Sequence, residues 1–218
     1  MAGSRGHDLE FTLAYDGGVF FLTLVSPDGT NRLTRRKVMA LAEEIEDLAA
    51  REDPVLPLVI SGDPTFSAGA DLNEISRLNG PEALAFAEMG QKLMNVVERF
   101  PAPVYAAISG YCMGGGLDLA LACHRRIAAP SAVFGHRGTA LGLITGWGGT
   151  QRLPRLVGKA RALEMFVAAE KIRAADALRI GLVDAIAEDP VGEAVRRIQA
   201  WRQNPPGRHG DTEETIKF

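Results

Sequence analysis

Three consecutive glycines, Gly114-Gly115-Gly116, stand between a β-prone apolar run, Val104-Tyr105-Ala106-Ala107-Ile108, and a helix-favouring run from Leu117 to Cys123 that carries one carboxylate, Asp118. A glycine-rich turn from strand into helix presents bare backbone N–H groups at the positive end of a helix dipole. Such a turn can bind a phosphate or hold an oxygen that gains negative charge during a reaction. The residues around these glycines argue against phosphate. No Lys-Ser/Thr pair closes the loop, no G-x-G-x-x-G is present, and Asp118 would repel a phosphate. The plain structural alternative is a tight turn where two backbones come close. A second loop, Phe66-Ser67-Ala68-Gly69-Ala70-Asp71, also follows an apolar run, is built of small residues and ends on an acid. Two such loops can aim two N–H groups at one oxygen, the arrangement of an oxyanion hole. Asp71 reads first as the N-cap of a helix.

The elements that must position these loops alternate strand and helix. Phe11 to Tyr15 and Val19 to Leu24 flank Asp16-Gly17-Gly18, a hairpin pattern. From Thr34, an expected N-cap, the apolar positions Val38, Leu41, Ala42, Ile45, Leu48 and Ala49 recur at helical spacing. Val55 to Ile60 reads as a buried strand. Pro81 opens a second helix that runs towards Arg99. After the triple glycine come short strands at Arg126–Ala128 and Ala132–Phe134, and then a glycine-rich loop from Gly142 to Gly149. Helical runs follow over 159–170 and 174–180, then a strand at Leu182–Ala187 and a helix at Val191–Gln203. The alternation predicts an α/β fold. The expected layout is a core over residues 1–187, with a short helix and a loose polar tail over 188–218.

The chain has 218 residues, a net charge of −3 and two cysteines, Cys112 and Cys123, without paired-metal spacing. That length supports a core without disulfide or metal staples. The charge offers no global field for nucleic acid or an acidic membrane. Both cysteines read as buried free thiols of a reducing compartment. The start, Met1 to His7, lacks the apolar stretch of a signal peptide, and no run is long enough to span a bilayer. A cytoplasmic protein with no membrane or nucleic-acid partner is expected.

Three segments resemble the crotonase (enoyl-CoA hydratase/isomerase) superfamily, in its order: Phe66 to Leu72, Ile108 to Gly116, and Gly146-Trp147-Gly148-Gly149-Thr150-Gln151-Arg152-Leu153. The resemblance extends from the first hairpin to Gly181-Leu182-Val183. It implies a spiral of β-β-α repeats, here with a short C-terminal helical extension. It implies acyl-CoA thioester substrates, no cofactor beyond their coenzyme A moiety, and homotrimers or hexamers built from two trimers. The activity it implies is enoyl-CoA hydratase or isomerase, in fatty acid metabolism. By resemblance, the oxyanion donors are the N–H groups of Ala68 and Gly115. The substrate-lining residues are Ala68, Gly69, Ala70, Asp71, Leu72, Tyr111, Gly114, Gly138 and Trp147, with Trp147 as a wall of the acyl pocket. Arg32 and Arg35, in a cluster with Arg36 and Lys37, are candidates for the coenzyme A phosphates.

Hydratases of this family use two glutamates, sharing the proton transfers between two groups. Asp118 aligns with the first, one methylene shorter, as in some dienoyl-CoA isomerases of the family. Gly138 aligns with the second, so that carboxylate is missing. A glycine there also resembles the naphthoate synthases, but their aspartate in the following loop is not matched by Leu143-Ile144-Thr145. Asp118 is therefore expected to be the single retained acid/base. His136 is a candidate auxiliary acid/base and Arg137 a candidate carboxylate holder, each with the simpler reading of a surface or supporting residue. Thr145 is a further polar candidate. Other enolate chemistry (decarboxylation, carbon–carbon bond cleavage or formation) and a non-catalytic acyl-CoA-binding homologue stay open at this point, because of Gly138.

Overall fold

The computed structural model describes residues 5–7, 10–51 and 54–203. In chain order its strands are β1 (Arg5–His7), β2 (Phe11–Asp16), β3 (Val19–Leu24), β4 (Leu58–Gly62), β5 (Val104–Ile108), β6 (Tyr111–Met113), β7 (Arg125–Ala128), β8 (Val133–Gly135), β9 (Ile172–Arg173) and β10 (Ala185–Ile186). The helices are α1 (Arg35–Arg51), α2 (Leu72–Ile75), α3 (Gly80–Glu98), α4 (Gly115–Ala122), α5 (Gly149–Val157), α6 (Lys159–Ala168), α7 (Ala174–Arg179) and α8 (Pro190–Gln203), with a 3-10 turn at Gly138–Leu141. Among the described residues the strands form a larger sheet, ordered β1-β2-β3-β4-β5-β7-β10, and a smaller one, β6-β8-β9. The hairpin β2–β3 is antiparallel, and β3, β4, β5, β7 and β10 then run parallel. Each turn of the chain places a strand in the larger sheet, a short strand or bridge in the second layer, and then a helix. The bridges Leu33 to Ala70 and Ser67 to Cys112 carry the second layer past β6. This is the expected α/β spiral.

All of β5 is buried, and its side chains alternate between two faces. Val104, Ala106 and Ile108 enter the main core under α1, α3 and α4, while Tyr105 and Ala107 face the other way. That second face is closed by Ala194 and Ile198 of α8. A parallel strand covered on both faces needs such a continuous apolar run. Helix α1 starts as expected, with the Lys37 N–H on Thr34 Oγ1 at 3.2 Å. Asn79 and Glu82 form a reciprocal capping box at the start of α3. Cys112 and Cys123 are free, and burial pushes both thiols up, Cys123 to about 12. No helix among the described residues is long and apolar enough to cross a membrane.

The structure departs from the sequence reading in several places. The fourth strand begins at Leu58 rather than Val55. The segment after Gly148 is a helix, α5, entered through a left-handed glycine and containing Pro154. The short β6 and β9 are joined through β8, with the Ser67 bridge on the other side of β6. The expected tail, 204–218, lies outside the described residues, as does most of the segment read for a signal peptide.

Gly90 on α3 is where that helix meets Trp147. The indole is 3% exposed, packs tilted against the Phe86 ring with centres 5.3 Å apart and donates from Nε1 to the Phe86 carbonyl at 3.2 Å. A Cβ on Gly90 would run into the indole ring. Gly90→Ala is expected to displace Trp147 and cost about 1–3 kcal/mol, the usual range for overpacking. A lower Tm together with a shift in tryptophan emission checks it.

Candidate active site

A cavity of about 570 Å³ opens between the loop at 68–72, α3, the turn into α4 and the segment from His136 to Trp147. Ala68, Gly69, Ala70, Leu72, Tyr111, Gly114, Gly115, Asp118, His136, Gly138 and Trp147 all line it. Its walls are largely apolar, including Phe86, Leu141, Leu143, Ile144 and Phe166, with Arg137 and Lys171 also at its surface. The Lys171 ammonium lies 5.0 Å from the centre of the Tyr111 ring.

Asp71 is not part of that lining. Its carboxylate caps α2, accepting from the N–H groups of Asn73 at 2.7 Å and Glu74 at 3.2 Å. The basic cluster is also divided by the fold. Arg32 is paired with Asp28 at 2.7 Å, and Arg36 with Glu10 at 3.3 Å. Lys37 is interior, donating to the Val25 carbonyl and paired with Glu10, and burial lowers its pKa. Of this cluster, Arg35 lies against a residue that lines the cavity, its guanidinium 5.7 Å from the Phe86 ring centre.

The two glycine-bearing loops meet backbone to backbone. A Cβ on Gly69 would lie 2.6 Å from the Met113 carbonyl oxygen, and one on Gly116 2.8 Å from that of Ser67. This contact decides which N–H groups are free. The Ala68 N–H, expected to be an oxyanion donor, is given to the Thr30 carbonyl at 2.8 Å. The Ala70 N–H is free instead. Its nitrogen lies 3.3 Å from where a Cβ on Gly115 would be, and among the described residues neither the Ala70 nor the Gly115 N–H finds an acceptor. Alternation along the Leu33–Ala70 bridge is the reason. Gly69 and Asp71 bond to Leu33, which turns the Ala70 N–H away towards the cavity. Two free N–H groups beside a helix start can hold an oxygen that gains charge.

Helix α4 is apolar all round and buried from Gly116 to Ala122, with Asp118 its one charged residue. Asp118 is 1% exposed. The Thr145 hydroxyl donates to its Oδ2 in a very short contact, and His136 Nε2 lies 3.4 Å from its Oδ1. His136, the candidate auxiliary acid/base, is not at the surface: it is buried, with its ring on Phe166 at 5.1 Å. Burial raises the Asp118 carboxyl to about 7, against the opposing pull of Thr145, the Arg152 charge and the Gly149 N–H. Burial also lowers His136 to about 4. A protonated carboxyl facing a neutral imidazole is thus favoured over an ion pair, because desolvation penalises both charged forms. At position 138 a Cβ would lie 2.8 Å from the Leu143 carbonyl oxygen. A carboxylate could enter there only if that loop shifted.

The enoyl-CoA hydratase/isomerase family profile matches residues 15–213. A crotonyl-CoA hydratase of Syntrophomonas wolfei is 40% identical over 165 residues, 74% of this chain and 63% of that protein. The chain thus matches less than two thirds of that relative's length. A Bacillus subtilis protein named "Probable enoyl-CoA hydratase" is 43% identical over 191 residues, 87% of this chain and 73% of that one. Among solved structures, Pseudomonas aeruginosa DspI superposes with a TM-score of 0.85 at 35% identity, covering 90% of this chain and 76% of that one. An enoyl-CoA hydratase from Bacillus anthracis gives 0.83 at 32%, covering 89% and 77%. With the spiral and its loops in place, these matches are decisive: the chain belongs to the enoyl-CoA hydratase/isomerase family.

The two buried groups have opposite effects on stability. Asp118, raised above its ordinary 3.8, favours the folded state most at low pH, and that contribution is lost as pH rises towards about 7. His136, lowered from 6.5, favours the folded state at high pH and loses that contribution as pH falls towards about 4. Between about 4 and 6.5 the two slopes cancel. Removing one partner exposes the other, with a limiting slope of about 1.4 kcal/mol per pH unit. Asp118→Asn is expected to gain stability as pH rises from 4 to 6.5, and His136→Gln to lose it. Urea unfolding across that range measures both slopes.

Proposed function

We propose that the protein binds 2-enoyl-CoA thioesters in the 570 Å³ cavity and adds water across the double bond through an enolate held by the N–H groups of Ala70 and Gly115. Asp118 is the general acid/base that delivers a proton to the α-carbon. One observation carries this reading: two unengaged N–H groups at the start of α4 share a cavity with a buried carboxyl one turn further on. Donors that meet the thioester oxygen best when it is negative stabilise the enolate more than the substrate, and only that difference accelerates the reaction. The relatives named as hydratases support the choice of reaction. Arg35, exposed and packed over Phe86 of the cavity wall, serves the coenzyme A phosphates, and no cofactor beyond coenzyme A is needed. Homotrimers or paired trimers belong to the same reading.

With crotonyl-CoA as substrate, Asp118→Asn is expected to lower kcat by about 10²- to 10⁴-fold, the range for loss of a general acid/base. For the wild type, kcat/KM is expected to fall as pH rises above about 7, where Asp118 loses the proton it must donate. A full rate with Asp118→Asn would overturn the mechanism. A Cβ on Gly115 would strike the Trp147 indole and crowd the Ala70 nitrogen. Gly115→Ala is therefore expected to cost about 10²- to 10³-fold in kcat, as loss of an oxyanion donor does. Steady-state hydration assays with a thermal-unfolding control check both variants.

A further inference from the structure

The absent second carboxylate leaves one proton without a carrier. Hydration needs one group to take a proton from water and one to give a proton to the α-carbon. Around Asp118 the structure offers a specific partner. His136 Nε2 and Asp118 Oδ1 face each other at 3.4 Å, both buried, and neither completes a hydrogen bond of ordinary geometry. Unpaired buried polar atoms are costly, so a facing pair of them calls for a reason. Thr145 occupies Oδ2 and leaves Oδ1 towards His136. Gly149 keeps the space between them open, since a Cβ there would strike Oδ1 and lie 3.0 Å from Nε2. Phe166 holds the imidazole ring from the side. Both groups also line the cavity.

The geometry points to His136 as the second proton carrier of the site, working with Asp118 as a dyad in place of two carboxylates. This rests on the enolate reading above. In the step that forms the enolate, the water oxygen bonds to C3 of the 2-enoyl thioester and one water proton passes to His136 Nε2. The π electrons move towards C1, and the negative charge collects on the thioester oxygen. Asp118 then gives its Oδ1 proton to C2. His136 returns the water-derived proton to Asp118 Oδ1 across the 3.4 Å gap. One water has been added, and both groups end as they began. The starting state, neutral imidazole beside protonated carboxyl, is the one that burial favours.

Two reactions of the full-length protein separate this role from support of the fold. Hydration of crotonyl-CoA needs both groups. Exchange of the α-protons of saturated butyryl-CoA with D₂O, run above about pH 7 where Asp118 is ionised and can take the proton, needs only Asp118 and the two N–H donors. For His136→Gln, hydration is expected to fall at least about 100-fold with KM within about threefold, while α-exchange falls no more than about threefold. In His136→Ala, added imidazole is expected to restore hydration at least tenfold. Loss of both reactions in parallel without imidazole rescue, or hydration left intact, would overturn the assignment. Wild-type protein that neither hydrates crotonyl-CoA nor exchanges the α-protons of butyryl-CoA would instead sink the enolate reading, and this inference with it.

Discussion

The cavity depends on the contact between two stretches of backbone, the loop through Gly69 and the turn through Gly116. Side chains at either position would push the loops apart by more than a packed interior can absorb. Because the loops touch, the Leu33–Ala70 bridge and the start of α4 come side by side, and the N–H groups of Ala70 and Gly115 open on the same space. The same contact sets the depth of α4. A helix anchored at its first residue between two loops, and apolar on every face, can only run into the core, taking Asp118 with it.

Burying a carboxyl there has consequences for its neighbours. Water is excluded, so the ionised form loses its solvation, and few donors replace it. Thr145 supplies one, and the Arg152 charge acts from further away. His136, equally buried, resists protonation for the same physical reason. Two groups that would form an ion pair at a surface are thus kept neutral in the interior. That keeps a transferable proton in the site near neutral pH, which the proposed chemistry requires.

Much of the fold could be read from periodicity. The α1 face, the β2–β3 hairpin and the α3 start are local: each rests on residues within a turn or two, and Thr34, the glycines after Asp16, and Asn79 with Glu82 all act where they stand. The second layer is different. Strands β6 and β9 are too short to show a period and are joined through β8, which lies between them. Helix α5 opens with glycine and threonine and contains Pro154, a poor local case for helix, and it forms by packing on α4 and α6.

By itself the sequence determined the family, the two glycine loops, the lone acid of α4 and the glycine at 138, because each is a matter of residue identity and spacing. Tertiary structure decided how those residues are used. Ala68 and Ala70 look alike in the sequence, yet the fold lays Thr30 against the first and leaves the second free. Lys37 belongs to a basic run, yet the helix turns it inward. His136 is one polar residue in a loop until β8 and Phe166 aim it at Asp118. The bonding partner of an amide and the surroundings of a charge depend on segments distant along the chain, and no local pattern encodes them.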